Sequence, residues 1–335
     1  MRGALLRWHK IHGRHGLSWR LKYDPYAVLV SEFMLQQTTV AAVEPRFQSW
    51  MKVFPSISDL AAATEEEVLT AWHGLGYYAR ARRLHQAARD IVDQHAGLIP
   101  KDRDKLLSLP GVGVYTAEAV LAFAFDKPAV VLDTNISRVL CRLFNLTTPI
   151  DTVSGKEILT KTAASFFPQK GCRSITSALM DLGATLCSSG IPRCSVCPLE
   201  KSCTACHPEK LPKKTRRPNI TKLTEFRAWY SDGKSLFLQR SQGPRWQNLW
   251  VLPEILPETI VKNSFGRALI EVTYPITRYR ITMKVFQLTS KPPSGLHSFN
   301  LGAVASLPIP SPHRKAIQTI RRAIAARGIP SHNSD

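Results

Sequence analysis

The stretch KLLSLPGVGVYTAEAVLAFAFDKPAVVLDTNISRVLCRLF, Lys105 to Phe144, decides the reading of this chain. Its pattern predicts a helix, a tight glycine turn, a second helix, a short extended run and a third helix. Leu106, Leu107 and Leu109 lead into Pro110-Gly111-Val112-Gly113, where glycines permit backbone conformations that other residues resist. Ala117, Val120, Leu121 and Ala124 then recur at helical spacing on one face. A glycine turn that feeds a helix leaves N–H groups pointing outward, and such a corner accepts a phosphate without reading sequence. It also serves as an ordinary packing element between two helices. Pro128 stops the second helix, and Ala129 to Leu132 is apolar and extended. The third helix carries Ile136, Val139, Leu140, Leu143 and Phe144 on one stripe, with Asp133 and Asn135 at its start. Asp133 is placed to cap that helix, or to offer a carboxylate at its N-terminus, and both can hold at once.

These residues carry a resemblance. LPGVGVYTAEAV followed by VLDTNISRVL resembles the helix-hairpin-helix and catalytic aspartate of the base-excision DNA glycosylases, the endonuclease III superfamily. Within it the chain most resembles the adenine-specific, MutY-type branch. The resemblance implies DNA contacts from Gly111, Val112 and Gly113, and a catalytic role for Asp133. It also implies a duplex partner carrying an adenine mispair.

Composition sets the bounds. The 335 residues suit about two domains, and 44% hydrophobic residues supply apolar material for cores. Lysine and arginine number 45 against 25 acidic residues, a formal net charge of +20, which suits a polyanion partner. Residues 207–335 hold 21 basic and 7 acidic side chains, so most of the excess lies there. The start, MRGALLRWHK, has no apolar core long enough for a signal peptide, and no run approaches a membrane span. Its Arg-rich, acid-poor character is shared with transit peptides, but motif residues begin by Leu17 and leave little to cleave. Seven cysteines, four of them clustered, argue against a secreted disulfide scaffold. The expectation is a monomeric, DNA-associated protein of the bacterial cytoplasm, with no membrane partner.

Asp24-Pro25 reads as a cap and first helical position, and the pattern predicts one helix from Tyr26 to about Val43. Glu32 sits in it among Leu29, Val30, Phe33 and Leu35. A carboxylate so placed pairs with a base or is desolvated, which raises its pKa. Proton transfer to a leaving base near neutral pH needs that shift. SEFMLQQT matches the glycosylase motif that holds the general acid, which implies that role for Glu32 and a DNA contact for Gln36. In AWHGLGYYARARR, Ala71 to Arg83, glycines precede two aromatics and three arginines. Aromatic pairs are commonly core; the resemblance makes Tyr77 a wedge that fills the gap left by an extruded base. The endonuclease III branch has a lysine, just after the glycine turn, that attacks the sugar. Tyr115 stands there in this chain, which implies a monofunctional glycosylase in which Tyr115 and Asn135 position the reacting groups near Asp133.

Cys187-x6-Cys194-x2-Cys197-x5-Cys203 is the most specific metal signal. Four thiolates in that span suit zinc or a [4Fe–4S] cluster equally by spacing. The match to the glycosylase cluster loop, including Pro198, implies iron–sulfur. Cys141 and Cys172 read as core, and Cys206 lies outside the pattern.

His207 to Lys222, HPEKLPKKTRRPNITK, is a basic, Pro-rich linker by composition. Beyond it the period becomes that of strands. Phe226, Ala228 and Tyr230 alternate up to Asp232-Gly233, a hairpin signal, with Leu236 and Leu238 following. Tyr279, Ile281, Met283 and Val285 alternate with Arg280, Thr282 and Lys284, and Ser311-Pro312 opens a last helix ending at Gly328. With RWQNLWVLP, Arg245 to Pro253, this part resembles the MutT-like, Nudix-fold domain of the same family. No acidic pyrophosphohydrolase box is present, which implies binding without hydrolysis. The family reads oxidised guanine with a Phe-Ser-His core; the matching place here is Ile276-Thr277-Arg278, so Thr277 and Arg278 are the candidate readers. The chain also has Thr134 where the family has glycine. Both departures bear on the base opposite adenine rather than on the chemistry.

The expected architecture is therefore multi-domain, α then α+β. Residues 1–206 form an all-helical helix-hairpin-helix glycosylase domain with a cluster loop at 187–203. Residues 207–222 are the linker, and 223–330 a MutT-like, β-rich lesion-recognition domain. The implied activity is release of adenine mispaired with 8-oxoguanine or guanine. The rival readings are a related glycosylase for another mispaired base, and a non-enzymatic zinc-containing DNA-binding protein.

Overall fold

A computed structural model of the chain describes residues 1–215, 219–243, 245–256, 267–288 and 291–327. The chain divides into two compact units, Met1–Ala63 with Arg82–Arg216, and Thr64–Ala81 with Arg217–Asp335. Among the described residues no helix is long and apolar enough to cross a membrane.

The first unit is helical. It holds α1 (Arg2–His12), α2 (Pro25–Leu35), α3 (Val40–Val53) and α4 (Ile57–Ala62). The boundary between units falls within α6 (Ala79–His95), after α5 (Glu65–Ala71) in the second unit. The first unit continues with α7 (Arg103–Leu107), α8 (Val114–Phe125), α9 (Thr134–Leu143), α10 (Val153–Phe166) and α11 (Cys172–Thr185). The helix–turn–helix expectation holds: α7 is short, capped by Asp102, and α8 starts after Gly113. α8 buries every residue from Thr116 to Phe123, so it is a central helix rather than one with a single apolar face.

The single helix expected from Tyr26 to Val43 is two. α2 ends at Leu35, Gln37 takes a left-handed φ of 57°, and α3 begins at Val40. In the intervening Gln-Gln-Thr-Thr, Thr38 bonds locally, its Oγ1 donating to Gln36 O at 3.3 Å. Such bonds compete with the helical ladder. The basic linker is not free over its first half: Ile150 N donates to Lys213 O, and Thr215 donates to Asp151 from both its N–H and its hydroxyl.

Among its described residues the second unit holds two three-stranded sheets. β1 (Thr221–Trp229), β5 (Tyr279–Gln287) and β4 (Ile270–Ile276) form one, in the order β1-β5-β4. β3 (Trp250–Val251), β2 (Ser235–Arg240) and β6 (His297–Asn300) form the other. The expected hairpin across Asp232-Gly233 turns the chain but does not pair the strands along their length. The Ser231–Leu236 bridge, Phe237 N to Tyr230 O and Ser231 Oγ to Ser235 O span the turn, while β1 runs parallel to β5. Alternation alone cannot name a strand's partner. β5 alternates as expected, with Ile281, Met283 and Val285 in the core, and α12 (Ser311–Arg327) packs Ala316, Ile317 and Ile320 onto the same cluster. Gly328, the expected helix end, lies outside the described residues.

Candidate active site

A cavity of about 1010 Å³ opens in the helical unit. Glu32 from α2, Tyr115 from the start of α8, and Asp133 and Asn135 from the start of α9 line it together. The Gln36–Thr39 turn lines it too, so the break between α2 and α3 is what brings Gln36 to this wall.

Glu32 is 4% exposed, and its Oε2 has no hydrogen-bond partner among the described residues. The Tyr115 hydroxyl donates to the carboxylate. Burial pushes the Glu32 pKa up from 4.5 to about 7; the Asp133 charge adds to the rise, while the Tyr115 bond and the Arg20 charge oppose it. Burial, and then the charges of Glu32 and Asp133, hold Tyr115 well above its ordinary value, so it remains a donor. Its hydroxyl meets Glu32, and Asp133 acts on it through charge.

Asp133 is the N-cap of α9, as its position predicts. Its Oδ1 accepts from Ile136 N at 2.6 Å and its Oδ2 from Asn135 Nδ2 at 2.9 Å. Asn135 is held in turn by Arg138, which donates to its Oδ1 at 2.8 Å and to Gly183 O at 2.7 Å. Gly183 makes this contact possible, because a Cβ there would stand 2.7 Å from Asn135 Cβ.

Two arginines missed in the sequence tie α9 to the cysteine loop. Arg138 Nε donates to Cys187 O at 2.8 Å, and Arg142 reaches Cys187 Sγ at 3.4 Å and Ser188 O at 2.8 Å. Their signal was available: Asn135, Arg138 and Arg142 share one helical face. A second missed group surrounds Asp181 of α11, which accepts from His9, Arg14 and Arg20. Burial alone would raise its pKa, but the His9 bond and the Arg20 charge hold the carboxyl well below the usual range. An acid within the apolar run SALMDLGA was the signal. Arg20, thus anchored, lines the cavity with Glu32.

At the glycine turn, Gly111 has φ 80°, and a Cβ there would stand 2.8 Å from both Arg83 Cβ and Phe33 Cε1. Val112 is buried and its N–H donates to Leu109 O at 3.1 Å, so it holds the turn. Gly113 is open on its Cβ side, leaving the N-terminus of α8 approachable. Tyr77, Thr277 and Arg278 belong to the second unit. Tyr77 is 46% exposed at φ 46°, with the Arg80 guanidinium 5.7 Å from its ring. Thr277 and Arg278 form the exposed two-residue turn between β4 and β5. Thr277 is left-handed at φ 50°, and Arg278 donates to Tyr279 OH at 3.0 Å.

Cys187, Cys194, Cys197 and Cys203 line one cavity of about 160 Å³ with Arg142. Among the described residues, no three His, Cys, Asp or Glu side chains converge closely enough to hold a single metal ion.

Residues 30–164 match the profile of the HhH-GPD superfamily of base excision DNA repair proteins. An adenine DNA glycosylase of Buchnera aphidicola is 30% identical over 95% of this chain and 96% of its own length. That of Mycolicibacterium smegmatis is 43% identical over 58% of this chain and 66% of its own. The human enzyme of the same name is 40% identical over 61% of this chain, which spans 39% of it. Among solved structures, a thermostable thymine-DNA glycosylase superposes with a TM-score of 0.56 at 29% identity, over 61% of this chain and 93% of that one. A non-covalent endonuclease III–DNA complex gives 0.52 at 27% identity, over 61% and 92%.

Proposed function

This chain belongs to the adenine DNA glycosylase family, within the helix-hairpin-helix superfamily of base-excision repair proteins, and we propose that it removes adenine from mispaired duplex DNA by hydrolysing the N-glycosidic bond. The observation that carries this reading is the Glu32 carboxyl, buried, raised to about 7 and with Oε2 unpartnered in the cavity. At neutral pH about half of such groups hold a proton to give. Glu32 protonates the departing base. Asp133, fixed by its own helix and by Asn135, supports the positive charge that grows on the sugar, as the second carboxylate of a glycosidase does. Tyr115 orients Glu32. It offers no amine for an imine with the sugar, so the reaction ends with water at an abasic site and the strand uncut.

The soft, all-sulfur donor set of the cysteine cavity fits a [4Fe–4S] cluster, with Cys187, Cys194, Cys197 and Cys203 as ligands. Four thiols around a cavity suit several irons better than one zinc, which needs sulfurs within about 2.3 Å of a point. Such a cluster would supply the fixed fold of the loop, and Arg138 and Arg142 carry that fixity to α9. The second unit supports a MutT-like reading domain, with Thr277 and Arg278 meeting the base opposite adenine. Gly111 and Gly113 take a phosphate, and Tyr77 fills the stack.

The deciding assay measures base release from duplexes with adenine opposite guanine, 8-oxoguanine, cytosine and thymine. Thymine opposite guanine serves as the rival substrate. Release of adenine, abolished in Glu32→Gln while duplex binding persists, is the expected result. Wild-type rates in that variant would sink the assignment.

A further inference from the structure

α8 buries every residue from Thr116 to Phe123, and one of them, Glu118, is an acid. Its side chain is 11% exposed. A carboxylate in such a run is costly unless donors meet its oxygens. The donors come from two different places. Arg103 Nε, at the start of α7, donates to Oε1 at 2.7 Å, and Val130 N donates to Oε2 at 3.1 Å. One carboxylate thus joins the first helix of the glycine hairpin to the extended run between α8 and α9.

That run ends at Asp133, three residues after Val130. Ala129 and Val131 are buried, and Leu132 lines the cavity. Among the described residues, no other N–H from Ala129 to Asp133 donates a hydrogen bond. Cys172 Sγ donates to Ala129 O at 3.1 Å, but a thiol is a weak donor. The bond from Val130 to the Glu118 carboxylate is charge-assisted and therefore stronger. Downstream, Asp133 is held by its own helix through Ile136 N. Upstream, Glu118 is the firm anchor of its backbone. A plain ion pair between α7 and α8 would use one oxygen of Glu118; here the second goes to Val130. Tyr115 and Glu118 lie three residues apart, neighbours along one side of α8. A single helix therefore presents Tyr115 to Glu32 and Glu118 to the run that brings Asp133.

We propose that Glu118 is a positioning residue for Asp133, given the reading of Asp133 as the carboxylate that meets the sugar. Glu118 pins the run that carries Asp133 and, through Arg103, ties it to the glycine hairpin. With a phosphate of the strand on that hairpin, one frame sets phosphate and carboxylate relative to each other. A displacement of about 1 Å in such a frame costs about a hundredfold in rate.

The test pairs single-turnover adenine release at saturating duplex with amide exchange, both on the full chain. Glu118→Ala should slow release about tenfold or more while duplex Kd changes less than about twofold. The falling pH limb set by Glu32 should stay where it is. Glu118→Gln keeps an oxygen for Val130 N, and should restore the rate to within about threefold of wild type. Leu159→Ala truncates a core side chain of α10 that does not line the cavity, and should lower Tm without slowing release. Protection of the Val130 and Ile136 amides should fall about tenfold or more in Glu118→Ala, with that of the α10 amides retained. Should Glu118→Ala not fold, Glu118→Asp takes its place; it keeps the charge but is one methylene too short to reach both donors. Wild-type release in the folded alanine variant would overturn the proposal. So would an equal loss in Glu118→Gln, or an equal loss in Leu159→Ala, which would mark a general effect of lower stability. Absence of adenine release from the wild type would refute the functional reading instead. The Ile136 amide then decides the role of Glu118 by itself, and unchanged protection in Glu118→Ala overturns it.

Discussion

Glu32 is a buried acid whose two duties conflict. Its folded-state pKa of about 7 lies above the ordinary 4.5, so the folded state favours the neutral form. Below pH 4.5 the group is neutral whether the chain is folded or not, and burial costs nothing through charge. As pH rises from 4.5 to about 7 the unfolded chain sheds the proton first, and stability falls by about 3 kcal/mol before levelling off. Glu32→Gln should recover that amount at pH 8 and almost none at pH 4, by urea midpoints at the two values. Equal effects at both would mean that Glu32 is not raised. Single-turnover adenine release should fall about tenfold per pH unit above about 7, where the acid loses its proton. Tyr115→Phe removes a bond that favours the carboxylate, and should carry that falling limb to higher pH. Borohydride should trap no covalent complex with the wild type, and Tyr115→Lys should gain some strand cleavage. Efficient trapping of the wild type would show another lysine at work.

The elements that place these groups were legible to different degrees. α8, α9 and the cap at Asp133 follow from local residues, because periodicity and capping are short-range effects. The break after Leu35 was masked by apolar residues on both sides of Gln36-Gln37. β1 read correctly as a strand but was given the wrong neighbour, since its parallel partner β5 lies far along the chain. Glu32, Tyr115, Asp133 and Asn135, which share one cavity, were picked out through motif resemblance. The buried charges that support it, Arg20, Arg138, Arg142 and Asp181, were missed because each acts through partners distant in sequence. Gly183 shows the same: within α11 it reads as a poor helix residue, yet it is where α11 meets Asn135. Gly183→Ala would put a Cβ 2.7 Å from Asn135 Cβ and 3.0 Å from its carbonyl oxygen. Overpacking of this kind costs about 1–3 kcal/mol. It should also displace Asn135 from Asp133, so adenine release should fall at least tenfold while Glu32's pH limb stays put. Full activity in a folded Gly183→Ala protein would show that the Asn135 contact is dispensable.

At the scale of the whole molecule, the basic excess and the two carboxylates proposed for catalysis lie in different parts of the chain. Residues 207–335 hold a net charge of +14, whereas Glu32 and Asp133 lie in the helical unit. Truncation is a poor probe of this division, because Thr64–Ala81 packs with the C-terminal residues. Asn248 donates to Glu65 at 3.0 Å, and Tyr78 OH reaches Ile309 O at 3.4 Å. Cutting after His207 would strip that segment, with Tyr77, of its partners. Point changes at the β4–β5 turn keep the unit intact. Thr277 is a β-branched residue at φ 50°, a conformation it adopts at some cost. Thr277→Gly should therefore stabilise the protein by up to about 1 kcal/mol, yet lose the hydroxyl proposed to meet the opposing base. The double variant Thr277→Ala, Arg278→Ala should erase any preference for 8-oxoguanine over guanine. It should scarcely change how binding weakens with salt, since base contacts specify while the many phosphate contacts set the slope. Release from both duplexes, and affinity at two salt concentrations, measure the two effects in one protein. A surviving 8-oxoguanine preference with a flattened salt slope would reverse the assignment, making this turn a phosphate contact and placing the reading of the lesion elsewhere.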